Sequence, residues 1–355
     1  MAGCVRFHGG SSGAEKPSSF IAAEWNVQAL FDGEENGTEY GEFRETTGWS
    51  IEKYKARITA ISKAIPQMIG QDSAPDLIGF VELENAGVLE DLAGNELLKY
   101  GYGWTAFTNL PGSSLGIGFI SRYPLLDVRS HSITVEKKTA PRPVLEVRLE
   151  PNGKPLVFLL CHWKSKLGGE DPTEAMRRSS ARVVQRRLRE LRKSEAETPV
   201  IVMGDLNENH DEFYRRSVFS ALLPDDPDAA EIALRDHKSS ELSSVSAWPQ
   251  DFLVLSREKP PVASFFPGDV PPLYSPWETE LSGGSFYFRD QWESIDHLLL
   301  SEGLFNGQGW NFSDCRVVNT APFTTASGAP GAYNPKSGRG LSDHLPLLLC
   351  LEYHD

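Results

Sequence analysis

Apolar residues in this chain come in short runs, and most runs end on a polar side chain that can do chemistry. Phe20-Ile21-Ala22-Ala23-Glu24-Trp25-Asn26-Val27 predicts a buried first strand that closes near Asn26. Ile51, Tyr54, Ile58, Ile61 and Ile65 recur at steps of three and four and predict an amphipathic helix, stopped or kinked at Pro66. Leu77-Ile78-Gly79-Phe80-Val81 reads as a short buried strand running out at Glu82. Further strands are expected at 115–121, 144–149 and 155–162, the last ending on Cys161-His162. A helix is expected over 173–193, with Met176, Ser180, Val183, Val184, Leu188 and Leu191 inward and Arg177, Arg178, Arg182, Arg186, Arg189 and Arg192 mostly outward. Pro199 to Met203 is the clearest strand and leads into Gly204-Asp205-Leu206-Asn207. Ser294-Ile295-Asp296-His297-Leu298-Leu299-Leu300 returns to the core, and Asp343-His344 opens a last apolar run through Leu349.

The strands are too many and too closely spaced for a doubly wound parallel sheet. Two mixed sheets packed face to face with helices on each flank, a four-layer α/β/β/α sandwich, fit the order better. Residues 20–355 read as one domain, with an irregular Pro-, Ser- and Asp-rich insertion at about 224–284 that could wall or cover a site. Residues 1–19 read as a flexible leader. Ala2-Gly3-Cys4 resembles the end of a lipoprotein signal, so the alternatives are a tether at the cell envelope, a secreted protein, or a cytoplasmic leader.

Composition narrows the classes. The 355 residues carry a net charge of −14, from 49 acidic and 35 basic side chains, which argues against an overall basic nucleic-acid footprint but leaves room for a local basic groove. No run approaches the roughly 18 apolar residues of a membrane helix. Cys4, Cys161, Cys315 and Cys350 show no CxxC spacing, so a zinc knuckle is not indicated and buried thiols are the plain expectation.

The polar groups at the strand ends are Asn26, Glu82, His162, Asp205, Asn207, Asp296, Asp343 and His344. Buried charge of this kind is costly unless paired or metal-bound. A set of carboxylates and carboxamides without thiolate favours Mg²⁺ or Mn²⁺ over Zn²⁺. A cation beside an acid/base histidine suits phosphoester hydrolysis.

Seven short motifs occur in order: Trp-Asn-Val at 25–27, Val-Glu-Leu-Glu-Asn at 81–85, Ile-Ser-Arg-Tyr-Pro at 120–124, Cys-His-Trp-Lys-Ser-Lys at 161–166, Gly-Asp-Leu-Asn at 204–207, Ser-Ile-Asp-His at 294–297 and Ser-Asp-His-Leu-Pro at 342–346. In these the chain resembles the endonuclease/exonuclease/phosphatase superfamily, including uncharacterised bacterial nuclease-like members, over nearly its whole length. The resemblance implies a deoxyribonuclease I-like fold and a monomer. It implies Glu82 as principal metal ligand with Asn26 nearby, and Asp343 contacting the metal directly or through water. Asp205 and Asn207 would sit on the phosphate, with Asp205 orienting or deprotonating the attacking water. Asp296 would buttress His344, and His162 would act as an acid or oxyanion donor; family members that cut at abasic sites usually have Tyr there. Arg122, Lys164 and Lys166 are candidate phosphate clamps. The implied activity is metal-assisted cleavage of phosphodiesters, in nucleic acid or a small molecule. The alternatives are a phosphomonoesterase or sphingomyelinase-like enzyme acting on inositol phosphates or phospholipid head groups, or a non-catalytic binding protein on the same scaffold.

Overall fold

The computed structural model describes residues 3–6, 18–70, 73–135, 138–139, 142–238, 251–262, 264–266 and 271–355. In chain order the strands begin with Gly3–Arg6 (β1), Ser19–Leu30 (β2), Leu77–Leu83 (β3), Trp104–Thr108 (β4) and Gly116–Ser121 (β5). Asp127–His131 (β6), Thr134–Val135 (β7), Lys138–Thr139 (β8), Val144–Leu149 (β9), Leu156–His162 (β10) and Val200–Asp205 (β11) follow. The remainder are Leu222–Pro224 (β12), Leu253–Ser256 (β13), Leu273–Tyr274 (β14), Phe286–Phe288 (β15), Gln291–Glu293 (β16), Asp296–Leu300 (β17), Gly309–Val317 (β18) and Leu347–His354 (β19). The helices are Ile51–Ala64 (α1), Ala86–Gly94 (α2), Glu170–Ser194 (α3), Glu212–Arg216 (α4) and Pro227–Lys238 (α5).

Two mixed sheets carry the architecture, one in the order β1-β4-β5-β3-β2-β19-β18 and the other in the order β12-β13-β14-β17-β11-β10-β9-β6. Strand alternation sorts their side chains into layers. Phe20, Ala22, Leu77, Val81 and Phe119 of the first sheet meet Leu145, Phe158, Leu160, Ile201, Met203 and Leu298 of the second. On the other face of the first sheet, Trp25, Ile78 and Phe80 pack with α1 and α2 through Ile58, Ile61, Leu89 and Leu92. Leu159 and Val202 pack with α3 through Val184 and Leu188. This is the expected α/β/β/α sandwich, with Glu82, His162 and Asp205 at strand ends and Asn26 inside β2, where its register with β3 breaks.

The insertion differs from expectation. Its segments β12, β13 and β14 extend the second sheet beside β17, and Tyr274 and Trp277 are core residues. Strands of two to four residues are too short to show a period, which is why the stretch reads as irregular. Residues 239–250 and 267–270 of it, and residues 7–17 of the expected leader, lie outside the described residues, whereas Gly3–Arg6 pair with β4.

Helix α3 also turns differently. Arg177 points inward and is fully buried, whereas Met176 is exposed. The Arg177 guanidinium donates to Glu208 at 2.9 Å, to Glu174 at 2.7 Å and to the Thr173 hydroxyl at 2.8 Å. Glu208, just past the Asp205-Leu206-Asn207 turn, is itself fully buried and accepts the Leu222 N–H, so it needs a cation that a purely apolar face would not supply. Arg177→Met is expected to lower stability by roughly 3–5 kcal/mol in chemical denaturation, because it strands Glu208. Arg186→Ala on the exposed face should change stability by less than about 0.5 kcal/mol.

Candidate active site at the meeting of the sheets

Both sheets deliver polar residues to one end of the sandwich. Asn26, Glu82 and the Asp343-His344 pair come from β2, β3 and the approach to β19. His162, Asp205 and Asp296 come from β10, β11 and β17, and Asn207 follows β11. Two adjacent pairings set the second group, because His162 faces Asp205 and Asp205 faces Asp296 in register. Gly204 makes this approach possible. Its φ is +126°, and a Cβ there would lie 2.0 Å from the Cys161 carbonyl oxygen.

The first sheet bends to reach the site. Gln28 and Ala29 (φ +52° each) and Glu82 (φ +70°) adopt left-handed backbone, and the β2–β3 register shifts between Asn26 and Leu30. Each such residue costs about 1–3 kcal/mol, so the surroundings must enforce it. Arg57 does so from α1. Its buried guanidinium donates to the carbonyls of Val27 (2.7 Å), Gln28 (2.6 Å) and Ala29 (2.9 Å) and lies 3.8 Å from the Tyr333 ring centroid. The bend aims the Ala29 N–H at Glu82 Oε2, 2.7 Å away.

Asn26 bridges the sheets, donating from Nδ2 to Asp205 Oδ2 (3.1 Å) and to Glu82 Oε1 (3.4 Å). Its Oδ1 accepts the Gln28 N–H, so its amide rather than its oxygen faces the carboxylates. Asp205 Oδ1 accepts the Asn207 N–H at 2.9 Å, and Asn207 Nδ2 donates to the Trp163 carbonyl at 3.1 Å. His344 and Asp296 form the expected couple at 2.8 Å, and Ser285 Oγ donates to the same Asp296 oxygen at 2.6 Å. Trp25 Nε1 holds the His344 carbonyl, and Ser342 Oγ joins the Asn26 carbonyl to the His344 N–H.

Charge distinguishes the two histidines. Burial alone would lower the His344 pKa, but Asp296, Asp343 and Asp205 raise it well above the ordinary value, so the ring is an imidazolium with Nε2–H to spare. His162 goes the other way: burial and then Arg142 hold it neutral. Arg142 donates to His162 Nε2 at 3.0 Å, which makes that nitrogen an acceptor and puts the proton on Nδ1. The separations of 3.7 Å from His162 to Glu82 and to Asp205 are therefore not ion pairs. As held here, the donor beside the pocket is Arg142, which also donates to the Trp163 carbonyl, rather than His162 itself.

Carboxylates outnumber the nearby cations. Asp205 is pushed up to about 7 by burial and by Asp296. Glu24, two residues before Asn26 and fully buried, is raised well above its usual range by burial, Asp296 and Asp205. Both Glu24 oxygens and Asp296 Oδ1 lack a hydrogen-bond partner. Asp205, Asp296 and His344 each offer a ligand atom within 4.8 Å of one another. Crowded hard oxygens with unspent lone pairs fit a divalent cation.

The proposed clamps fare less well. Arg122 stands at the other end of β3 from Glu82, because Ser121 pairs with Leu77, five residues and roughly 16 Å along the strand. It is held by Asp76 at 3.1 Å and is a structural arginine. Lys164 Nζ donates within its own loop, to the carbonyls of Ser165 and Leu167. Lys166 lines a groove with Asn207, but both Glu212 oxygens hold its ammonium at 2.8–2.9 Å. His210 is half-buried, not exposed: it stacks on Trp277 and bonds Ser294. His297 faces away as expected, against the Glu208 carbonyl. Arg142, Ser285, Arg57 and Glu24 were not anticipated. Only Glu24 carried a signal, a carboxylate inside an apolar run.

A family model described as endonuclease/exonuclease/phosphatase family matches residues 21–233. Among solved structures, the chain is similar to an endonuclease/exonuclease/phosphatase family protein from Bacteroides thetaiotaomicron (14% identity, TM-score 0.51, 96% of this chain and 100% of that one covered). TDP2 from D. rerio, humanized by 14 mutations, gives 13% identity and TM-score 0.52 over 95% and 100%. ANGEL2, a 2',3'-cyclic phosphatase, gives 15% and 0.51 over 94% and 95%. At these identities the likeness concerns the fold, which is deoxyribonuclease I-like. No curated protein sequence matches.

In the metal-free protein, histidine-resolved NMR should find His344 still protonated above the ordinary range and His162 neutral below 6.5. Asp296→Asn should move the His344 titration downward, since it removes the main raising charge. Both rings charging together near pH 6.5 would contradict the assignment.

Proposed function

The chain belongs to the endonuclease/exonuclease/phosphatase family, and on that premise we propose that residues 20–355 act as one domain, a divalent-metal-dependent phosphoester hydrolase that cleaves phosphodiester bonds. The observation that carries this reading is the convergence itself. Asp205, Asp296 and His344 lie within 4.8 Å, and Asn26 ties Asp205 to Glu82 across the sheets.

Glu82 and Asp343, the two half-buried carboxylates, would hold Mg²⁺ or Mn²⁺, with Asn26 orienting Glu82. When bound, the cation supplies Lewis-acid polarisation of a phosphoryl oxygen. The protein's own groups do the rest. Asp205, its pKa near 7, is matched to accept a proton from water at neutral pH. His344, fixed by Asp296, presents Nε2–H to a phosphoryl oxygen and balances charge as it develops. The Asn207 N–H holds Asp205 Oδ1 and the Asn26 amide holds Oδ2, so the carboxylate is fixed in one orientation. Arg142 adds a permanent cation at the rim.

The test is Mg²⁺-dependent hydrolysis of supercoiled plasmid, single-stranded RNA, a chromogenic phosphodiester, an inositol polyphosphate and sphingomyelin. Diester cleavage by the parent is expected to vanish in Asp205→Ala. Glu82→Ala should lose activity and calorimetric Mg²⁺ binding together. His344→Ala should keep Mg²⁺ binding and lose roughly a hundred- to ten-thousand-fold in turnover. Release of inorganic phosphate or a phosphorylated head group with diesters untouched would overturn the phosphodiesterase reading in favour of a phosphatase or phospholipase. Full activity in Glu82→Ala would overturn the metal assignment.

A further inference from the structure

One hydrogen bond fixes an edge of an imidazole, not its plane. His344 Nδ1 meets Asp296 Oδ2 at 2.8 Å. Such a bond tolerates a range of angles, and the terminal torsion of a histidine is broad. The backbone beneath the ring is already pinned. Trp25 Nε1 donates to the His344 carbonyl at 3.1 Å, and Ser342 Oγ accepts the His344 N–H at 3.1 Å. Nε2, on the far side of the ring, would still swing unless something held the ring face.

Phe286, at the start of β15, lies against that face, with centroids 4.5 Å apart and planes 27° apart. Stacked aromatic pairs favour separations of about 4.5–7 Å. The contact is built into the backbone. Phe286 and His344 face each other in an antiparallel bridge, and Leu345 donates its N–H to the Ser285 carbonyl at 2.7 Å. Ser285 Oγ donates to Asp296 Oδ2 at 2.6 Å. Consecutive residues of one hairpin therefore hold the two members of the couple, Ser285 the carboxylate and Phe286 the ring. Gly284 lets the hairpin close. Its φ is +141°, and a Cβ there would lie 2.8 Å from the Glu293 carbonyl oxygen, which accepts the Ser285 N–H at 3.0 Å. Phe288 backs Phe286 at 6.0 Å and 16° and is 48% exposed, so the stack has its inner end on the histidine and its outer end at the surface.

Resting on the reading that His344 serves phosphoester hydrolysis, we propose that Phe286 is a positioning residue. Its ring sets the plane of the His344 imidazole, and with it the direction in which Nε2 points. Asp296 and Phe286 then act on different freedoms of one side chain, the first on its edge and the second on its face. An aromatic face holds an imidazole whether it is neutral or charged, so the same contact serves before and after a proton moves at Nε2. A leucine at 286 would fill similar space and supply no such face.

The experiment has a kinetic arm and a spectroscopic arm. With a chromogenic phosphodiester, Phe286→Leu should lower kcat roughly tenfold, the size of one aromatic contact, with KM and calorimetric Mg²⁺ binding unchanged. Phe286→Tyr, which keeps the ring, should restore kcat. In a His344→Ala background, where there is no imidazole to aim, Phe286→Leu should cost nothing more. Equal losses in both backgrounds, or full kcat in Phe286→Leu, would overturn the proposal. The second arm needs no substrate. Protons over an aromatic face are shifted upfield, so the His344 ring protons should resonate upfield in the parent and in Phe286→Tyr and lose that shift in Phe286→Leu. A His344 spectrum indifferent to all three side chains would overturn the stacking itself. If the parent cleaves no phosphoester, the hydrolytic reading fails on its own, and the spectra still decide whether Phe286 holds the ring.

Discussion

Negative charge brought out of water from two sheets is the condition that the rest of this structure answers. Glu24, Asp205 and Asp296 are buried at one end of the sandwich, with Glu82 and Asp343 at its mouth. Left alone they would repel and protonate, and Glu24 and Asp205 show that tendency. His344 becomes a cation because Asp296 is beside it, and Asn26 spends its amide protons on the carboxylates of both sheets. Both Glu24 oxygens and Asp296 Oδ1 have no hydrogen-bond partner, so the balance struck by these side chains is incomplete.

Holding the groups in place requires support from residues that touch no substrate. Arg57 closes three carbonyls of the β2 bend, and without that cap the left-handed residues that aim Ala29 at Glu82 would relax toward ordinary strand. Ser285 shares Asp296 with His344, so the imidazole and the aromatic hairpin are positioned by one carboxylate.

Much of the sandwich, and the polar residues gathered at one end of it, was legible in the chain, for a physical reason. A carboxylate or imidazole that closes a run of buried residues, as at Glu82, His162 and Asp205, advertises a cost that must be recovered somewhere. What escaped were residues whose role depends on a distant partner. Arg142 matters because it meets His162, and Arg57 because it meets the turn after Val27. Arg177 lies inside α3 because Glu208 lies beneath it. In the opposite sense, Arg122 fitted a motif yet sits at the wrong end of its strand, since a motif gives the order of residues and not the end of the sheet they occupy. The short strands β12, β13 and β14 fell below the length at which alternation shows.

The single amide of Asn26 that joins Asp205 on one sheet to Glu82 on the other has a broader meaning. Neither sheet owns the polar cluster, so the spacing between its halves follows the thickness of the apolar layer between the sheets. Residues such as Phe158, Met203 and Phe119, which lie in that layer, act as spacers that set the distance between polar groups they never touch. Change deep in the hydrocarbon interior, where a shift of a methyl group moves one sheet against the other, therefore retunes the gap between Asp205 and Glu82 without altering any polar residue.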